Sequence, residues 1–112
     1  MARLETDLVV DGVMFLAVGA SQARMVRAAG VYALARREAD GRRTLLYVNW
    51  AEMQGPAARS GAAWRAALDL GMNELLFTVG VREPHELETL KARLIAAAHP
   101  PLNAPPELRR AA

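Results

Sequence analysis

The sequence predicts one α/β (α+β) domain, a β-sheet flanked by helices, and three observations predict it. Two strand-like runs joined by Asp40-Gly41 read as a β-hairpin. An alanine-rich stretch closed by Gly71 reads as a helix, and an apolar run at Leu75–Val79 leads into a second helix bounded by prolines. At 112 residues, 53% apolar and 23% charged, the chain has the size and composition of a single globular domain with a modest core.

The hairpin is the most sharply specified element. Val31-Tyr32-Ala33-Leu34-Ala35 and Leu45-Leu46-Tyr47-Val48 are rich in β-branched, aromatic and aliphatic residues, and Asp-Gly between such runs is a type I′ turn signal. With residues 40 and 41 as the two turn positions, paired residues sum to 81, which sets Tyr32 opposite Asn49 and Leu34 opposite Tyr47. Side chains alternate along strands, so Tyr32, Tyr47 and Asn49 share one sheet face.

A helix follows from Pro56 to Leu70, with Gly55-Pro56 at its start and Gly71 at the position favoured for a C-terminal stop. Trp64 and Leu68 mark its buried stripe. Leu75–Val79 is apolar at both parities and reads as a fully buried third strand. The last helix runs from Pro84 to His99, where Pro100-Pro101 stops it. Leu87, Leu90, Leu94, Ala97 and Ala98 define its inward face. Before Gly30 the pattern is weaker: Leu8–Val18 suggests an added strand, and Ser21 caps a short helix over 22–29. Residues 1–29 are thus an N-terminal extension packed on the domain, 30–103 the domain itself, and 104–112 a C-terminal tail.

Composition excludes several chemistries. The chain has no cysteine, so it can hold no disulfide, thiolate zinc site or cysteine nucleophile, which fits a reducing cytoplasm. The apolar stretch Leu8–Ala20 is interrupted by Asp11, follows Glu5 and Asp7, and is too short to span a bilayer, so no membrane role is expected. Net charge is +2, yet the pI is about 9.7, because the cations are thirteen arginines and one lysine, Lys91. Planar guanidinium groups suit phosphate recognition. A compositional preference for arginine accounts for the count equally well.

Four short pieces then fall in one order: Gly30-Val31-Tyr32, Tyr47-Val48-Asn49, Arg59 in the first long helix, and Leu94-Ile95 before Pro100-Pro101-Leu102-Asn103. From 30 to 103 the chain resembles the GIY-YIG nuclease family, and its only two tyrosines occupy the two motif positions. The resemblance implies a three-stranded antiparallel sheet flanked by helices, with a groove on one sheet face. There, paired tyrosines and an arginine surround a scissile phosphate, while a glutamate on the last helix holds one divalent cation, Mg²⁺ or Mn²⁺. Cation and arginine neutralise the charge that grows on the phosphoryl oxygens during cleavage. On this resemblance Tyr32 and Tyr47 match the tyrosines, Arg59 the arginine with Arg65 as second candidate, and Asn103 the asparagine after the final helix.

Two positions depart from the family pattern. Asn49 stands for the glycine closing the second motif, and Lys91 stands where the metal-binding glutamate is expected. At about 100° per residue, with Leu87 at zero, Lys91 lies near 40° and Ile95 near 80°, so Lys91 points inward with the leucines. An ammonium has no lone pair to offer a metal. Glu88, near 100°, is the one acid on that flank and sits a turn out of place.

Plainer roles are open to each residue. The tyrosine rings can simply fill the core, Arg59 can be a solvated helix residue, and Lys91 can pack its stem or pair with Glu88. Trp50 can stack on a base or pack at the sheet edge. Asn103 can tie the chain end to backbone. His85 and His99 have no partner at ligand spacing. The expectation is a catalytically degenerate GIY-YIG-like domain with no resident cofactor and with DNA or RNA as partner. One alternative is an active phosphodiesterase in which the Lys91 ammonium replaces the cation; another is an interaction module for a protein or a second copy of the chain.

Overall fold

The computed structural model describes residues 5–104. Strands β1 (Glu5–Val10) and β2 (Val13–Gly19) lead into a 3₁₀ helix (Ala20–Met25), then β3 (Gly30–Arg37) and β4 (Arg43–Ala51). Helices α1 (Gln54–Ser60) and α2 (Ala62–Asp69), strand β5 (Glu74–Phe77), helix α3 (Pro84–Ala98) and a second 3₁₀ helix (Pro101–Asn103) follow. The strands form one antiparallel sheet in the order β1-β2-β5-β3-β4. The α+β class stands, but the sheet has five strands, where the sequence led us to expect three. Apart from Ala104, the expected tail 104–112 lies outside the described residues.

The two extra strands come from the segment expected to be an extension. Asp11 and Gly12 both have positive φ (51° and 78°) and leave Val10 paired with Val13, as a two-residue primed turn requires. Beyond that hairpin, β2 pairs with β5 from Leu16↔Phe77 to Gly19↔Glu74. Ser21 caps nothing: the 3₁₀ helix starts from Gly19 with no side-chain cap.

The Asp40-Gly41 turn is different from its expected form. The Glu38 N–H donates to the Arg42 carbonyl (2.7 Å) and the Gly41 N–H to the Glu38 carbonyl (3.0 Å), which closes a three-residue loop with Gly41 at φ 91°. Pairs beside it therefore sum to 80, as in Arg37↔Arg43. Between Leu34 and Ala35 the register shifts, because Leu46 is an extra residue in β4, and the sum becomes 81. Tyr32↔Asn49 and Leu34↔Tyr47 are thus the observed pairs. Turn and bulge offset each other.

The single helix expected over 56–70 is broken at Gly61, whose ψ of 156° is extended and whose residue type is a poor helix former. The break turns Ala63, Trp64 and Ala67 toward the sheet and leaves Leu68 47% exposed, so Leu68 is not part of a buried stripe. Gly71 does stop α2, at φ 90°. Strand β5 ends at Phe77, and Val79 is exposed. Helix α3 closes on His99 in a left-handed cap; its Leu87 and Leu94 are buried, whereas Ala97 is exposed.

Strand alternation sorts the interior into two layers. Phe15, Val31, Ala33, Val48 and Leu76 point to one face and pack beneath Leu87 and Leu94 of α3. Tyr32, Leu34, Leu75 and Phe77 point to the other, beneath Ala23 and Val26 and the helical Ala58 and Ala67. The strand β5 is hydrogen-bonded on both edges and contributes to both layers, which is why Leu75, Leu76 and Phe77 are all buried.

A buried polar network ties the tyrosine strand to the first helix. Gln54, fully buried, donates from Nε2 to the carbonyls of Ala28 (3.0 Å) and Thr78 (2.7 Å), and its Oε1 accepts from the Thr78 N–H (3.3 Å). The Thr78 hydroxyl accepts from the Val31 N–H (2.9 Å) and donates to the Val31 carbonyl (3.0 Å). A Cβ at Gly30 would lie 2.6 Å from the Thr78 carbonyl and 2.7 Å from Gln54 Nε2, so the glycine opening the first motif makes room for this network. At Gly55 a Cβ would strike the Ala23 carbonyl, which lets α1 sit directly on the first 3₁₀ helix.

Candidate functional site

Tyr32, Tyr47 and Asn49 do gather on one sheet face. Tyr32 is 4% exposed; Tyr47 and Asn49 are half-buried, and Asn49 Nδ2 donates to the Tyr47 hydroxyl at 3.0 Å. Burial, assisted by the neighbouring Tyr47, pushes the Tyr32 phenol up to about 12, while a hydrogen bond with Asn49 draws it down slightly. Tyr32 therefore keeps its proton near neutrality and acts as a hydrogen-bonding phenol rather than a phenolate. Asn49 also accepts from the Trp50 N–H through Oδ1 (2.8 Å).

The arginine candidates are on the same side of the sheet. Arg59, exposed at the end of α1, lies over the Trp64 indole at 5.7 Å from the ring centroid, and Trp64 packs against the apolar layer that contains both tyrosines. Arg65 is exposed on α2. Asn103 closes the far edge of the sheet: its Oδ1 accepts from the Val48 N–H (2.8 Å) and its Nδ2 donates to the Val48 carbonyl (2.9 Å). That two-point contact is the backbone tie read from the sequence, and it occupies both ends of the amide.

Lys91 is elsewhere. Helix α3 packs on the face carrying Val31, Ala33 and Val48, whereas the tyrosines project from the other. The helical-wheel expectation that Lys91 turns toward the leucine side is met, since its side chain is 29% exposed. The expectation that this side looks onto the phenols is overturned: the sheet stands between them. Lys91 Nζ pairs with Glu88 at 3.8 Å, and Glu88 accepts from Trp50 Nε1 at 2.9 Å. Trp50, Glu88 and Lys91 form a separate polar group on the α3 side, with Trp50 also packed against that core layer.

Sequence reasoning missed Gln54 and Thr78, which fix α1 against β3, and Glu74, whose carboxylate meets Arg43 at 2.7 Å in a pair 12% and 6% exposed. It also read Ser21 only as a helix cap and gave Arg24 no role, whereas both line a cleft with Arg59, Trp64 and Leu68. No periodicity marks the first three, because burial of a hydrogen-bonded polar group depends on partners distant in sequence.

No protein-family model, curated protein or solved structure matches the chain. The geometry and chemistry of these residues therefore carry the functional reading. No helix among the described residues is long and apolar enough to cross a membrane.

Proposed function

We propose that this chain is a GIY-YIG-like domain that binds nucleic acid on its tyrosine face without hydrolysing it. The observation that carries this reading is the position of Lys91. It replaces the expected metal-binding acid, is ion-paired with Glu88, and belongs to the layer on the opposite side of the sheet from the phenols. Hydrolysis of a phosphodiester needs positive charge at the oxygens that become anionic. An ammonium beyond the sheet supplies none to a phosphate held at Tyr47, the half-buried phenol of the pair, which also speaks against an active enzyme that uses Lys91 in place of a cation.

Kinship in fold is supported by the order of elements. Strand β3, with Gly30-Val31-Tyr32, runs between β4 and β5; α1 and α2 connect β4 to β5, and α3 follows. Binding is supported by Arg59 and Arg65 on the tyrosine side. The recombinant protein, incubated with single- and double-stranded DNA and RNA plus Mg²⁺ or Mn²⁺, should retain the nucleic acid intact while binding it. Cleavage that Tyr47→Phe abolishes would overturn the proposal.

One observation favours a protein-interaction role instead. Val9 and Met14, a directly opposed pair on β1 and β2, are 53% and 62% exposed, and Met25 is 73% exposed. Such an apolar surface suits a protein partner or a second copy of the chain. Affinity for DNA and RNA that stays undetectable at low salt would select this role.

A further inference from the structure

The first 3₁₀ helix and helices α1 and α2 border an open, shallow cleft of about 450 Å³ lined by Ala20, Ser21, Arg24, Arg59, Trp64 and Leu68. Its chemistry is one-sided. Residues 12–37 contain no acid, and neither do residues 53–68; these two stretches supply the whole lining. Five of the eight other arginines among the described residues are matched: Arg36 with Glu38, Arg42 with Asp40, Arg43 and Arg37 with Glu74, Arg93 with Asp11. Arg24 and Arg59 are exposed and have no acidic partner among the described residues. Two guanidinium groups thus share a cleft that holds no counter-charge of the protein's own.

The rest of the lining is flat and apolar. Arg59 stacks on the Trp64 indole at 5.7 Å, an arrangement that leaves the in-plane N–H donors of the guanidinium available, and Leu68 lies beside them 47% exposed. Cations next to a half-buried ring beside the exposed Leu68 match a phosphate joined to an unstacked base. An acidic peptide would use the cations but not the platform, and a duplex keeps its base faces stacked out of reach.

We infer that this cleft is a binding site for single-stranded nucleic acid, one phosphate lying between Arg24 and Arg59 and an adjoining base against the Trp64–Leu68 surface. The site rests on the nucleic-acid-binding proposal and narrows it to a strand type and to a location that depends on the N-terminal segment. Ser21 adds a hydroxyl at the cleft wall for a phosphate or sugar oxygen.

The test uses the full chain, with anisotropy of a labelled oligothymidylate and of a duplex of equal length, at several salt concentrations. Single strands should bind more tightly than duplex, and Arg24→Ala and Arg59→Ala should each weaken binding about tenfold and flatten the salt slope by about 0.7. In a Trp50→Phe background, which removes the indole on the α3 side, Trp64 fluorescence should quench as the oligonucleotide binds. The five substituted side chains, Arg24, Arg59, Trp50, Tyr47 and Asn49, are at the surface or half-buried, and circular dichroism checks that each variant folds. Binding that ignores both arginine variants but is lost on Tyr47→Phe or Asn49→Ala refutes the cleft and leaves the broader proposal standing. Absence of binding at low salt, or arginine-dependent capture of polyglutamate in place of oligonucleotide, overturns both.

Discussion

Replacing Gln54 with methionine should cost stability without leaving a cavity. Methionine is close to glutamine in size, so packing is nearly conserved and the change falls on hydrogen bonds. The Ala28 carbonyl still accepts from the Gln54 backbone N–H (3.2 Å), and the Thr78 N–H still donates to the Val31 carbonyl (3.1 Å). The Thr78 carbonyl, however, loses the 2.7 Å bond from Nε2 inside a buried site. One buried acceptor left unpaired costs about 1–3 kcal/mol, and the loss of the other two contacts brings the expected total to about 2–3 kcal/mol. For a domain of this size that is a fall in Tm on the order of 10–20 °C. Urea unfolding followed by circular dichroism measures it, with the m-value expected to stay constant. Because Gln54 opens α1 and Thr78 holds Val31, the variant should also loosen the placement of Arg59 relative to Tyr32. A loss below about 0.5 kcal/mol at constant m would refute the role given to this network.

Two further outcomes follow from single side chains. Tyr32 keeps its proton to about 12 when folded and ionises near 10 when unfolded, so the stability it contributes is fully present below pH 10 and is lost as pH rises through 12. Unfolding free energies from urea titrations of wild type and Tyr32→Phe should diverge across that window by up to about 2.7 kcal/mol; parallel curves would show that the phenol is not shielded. Asn103→Ala removes both bonds to Val48 and should cost about 1–2 kcal/mol. It should also raise amide exchange at Val48 selectively, whereas unchanged protection there would mean that the edge is covered by something other than Asn103.

The hairpin shows how far local chemistry can be read from sequence. Two Asp-Gly pairs lie between apolar runs, and the one at 11–12 forms the two-residue turn, whereas the one at 40–41 forms a three-residue loop. Both sequences permit positive φ, and flanking register decides between the loops. The Tyr32–Asn49 pairing was nevertheless legible, because the bulge at Leu46 restores the count that the longer loop displaces. For the site, parity along β3 and β4 was enough to bring the tyrosines and Asn49 together. Lys91 was not reachable in the same way. Helical geometry tells which side of α3 turns inward, but not which face of the sheet that helix covers. Gly61 is a poor helix former, yet a single glycine between alanine-rich stretches does not tell whether the helix tolerates it or ends there and begins again.

The place of β5 in the sheet has a consequence during synthesis. Its four residues join β2 to β3, so two ready-made hairpins stay unconnected until Phe77 leaves the ribosome, 58 residues after Gly19. At translation rates of about 5–20 residues per second, that interval is roughly 3–12 s. A lone hairpin is marginally stable in water. For those seconds the nascent chain displays Phe15 and Ala17, which the finished fold buries, alongside an unpaired β2 edge, the period in which a chaperone has most to offer it.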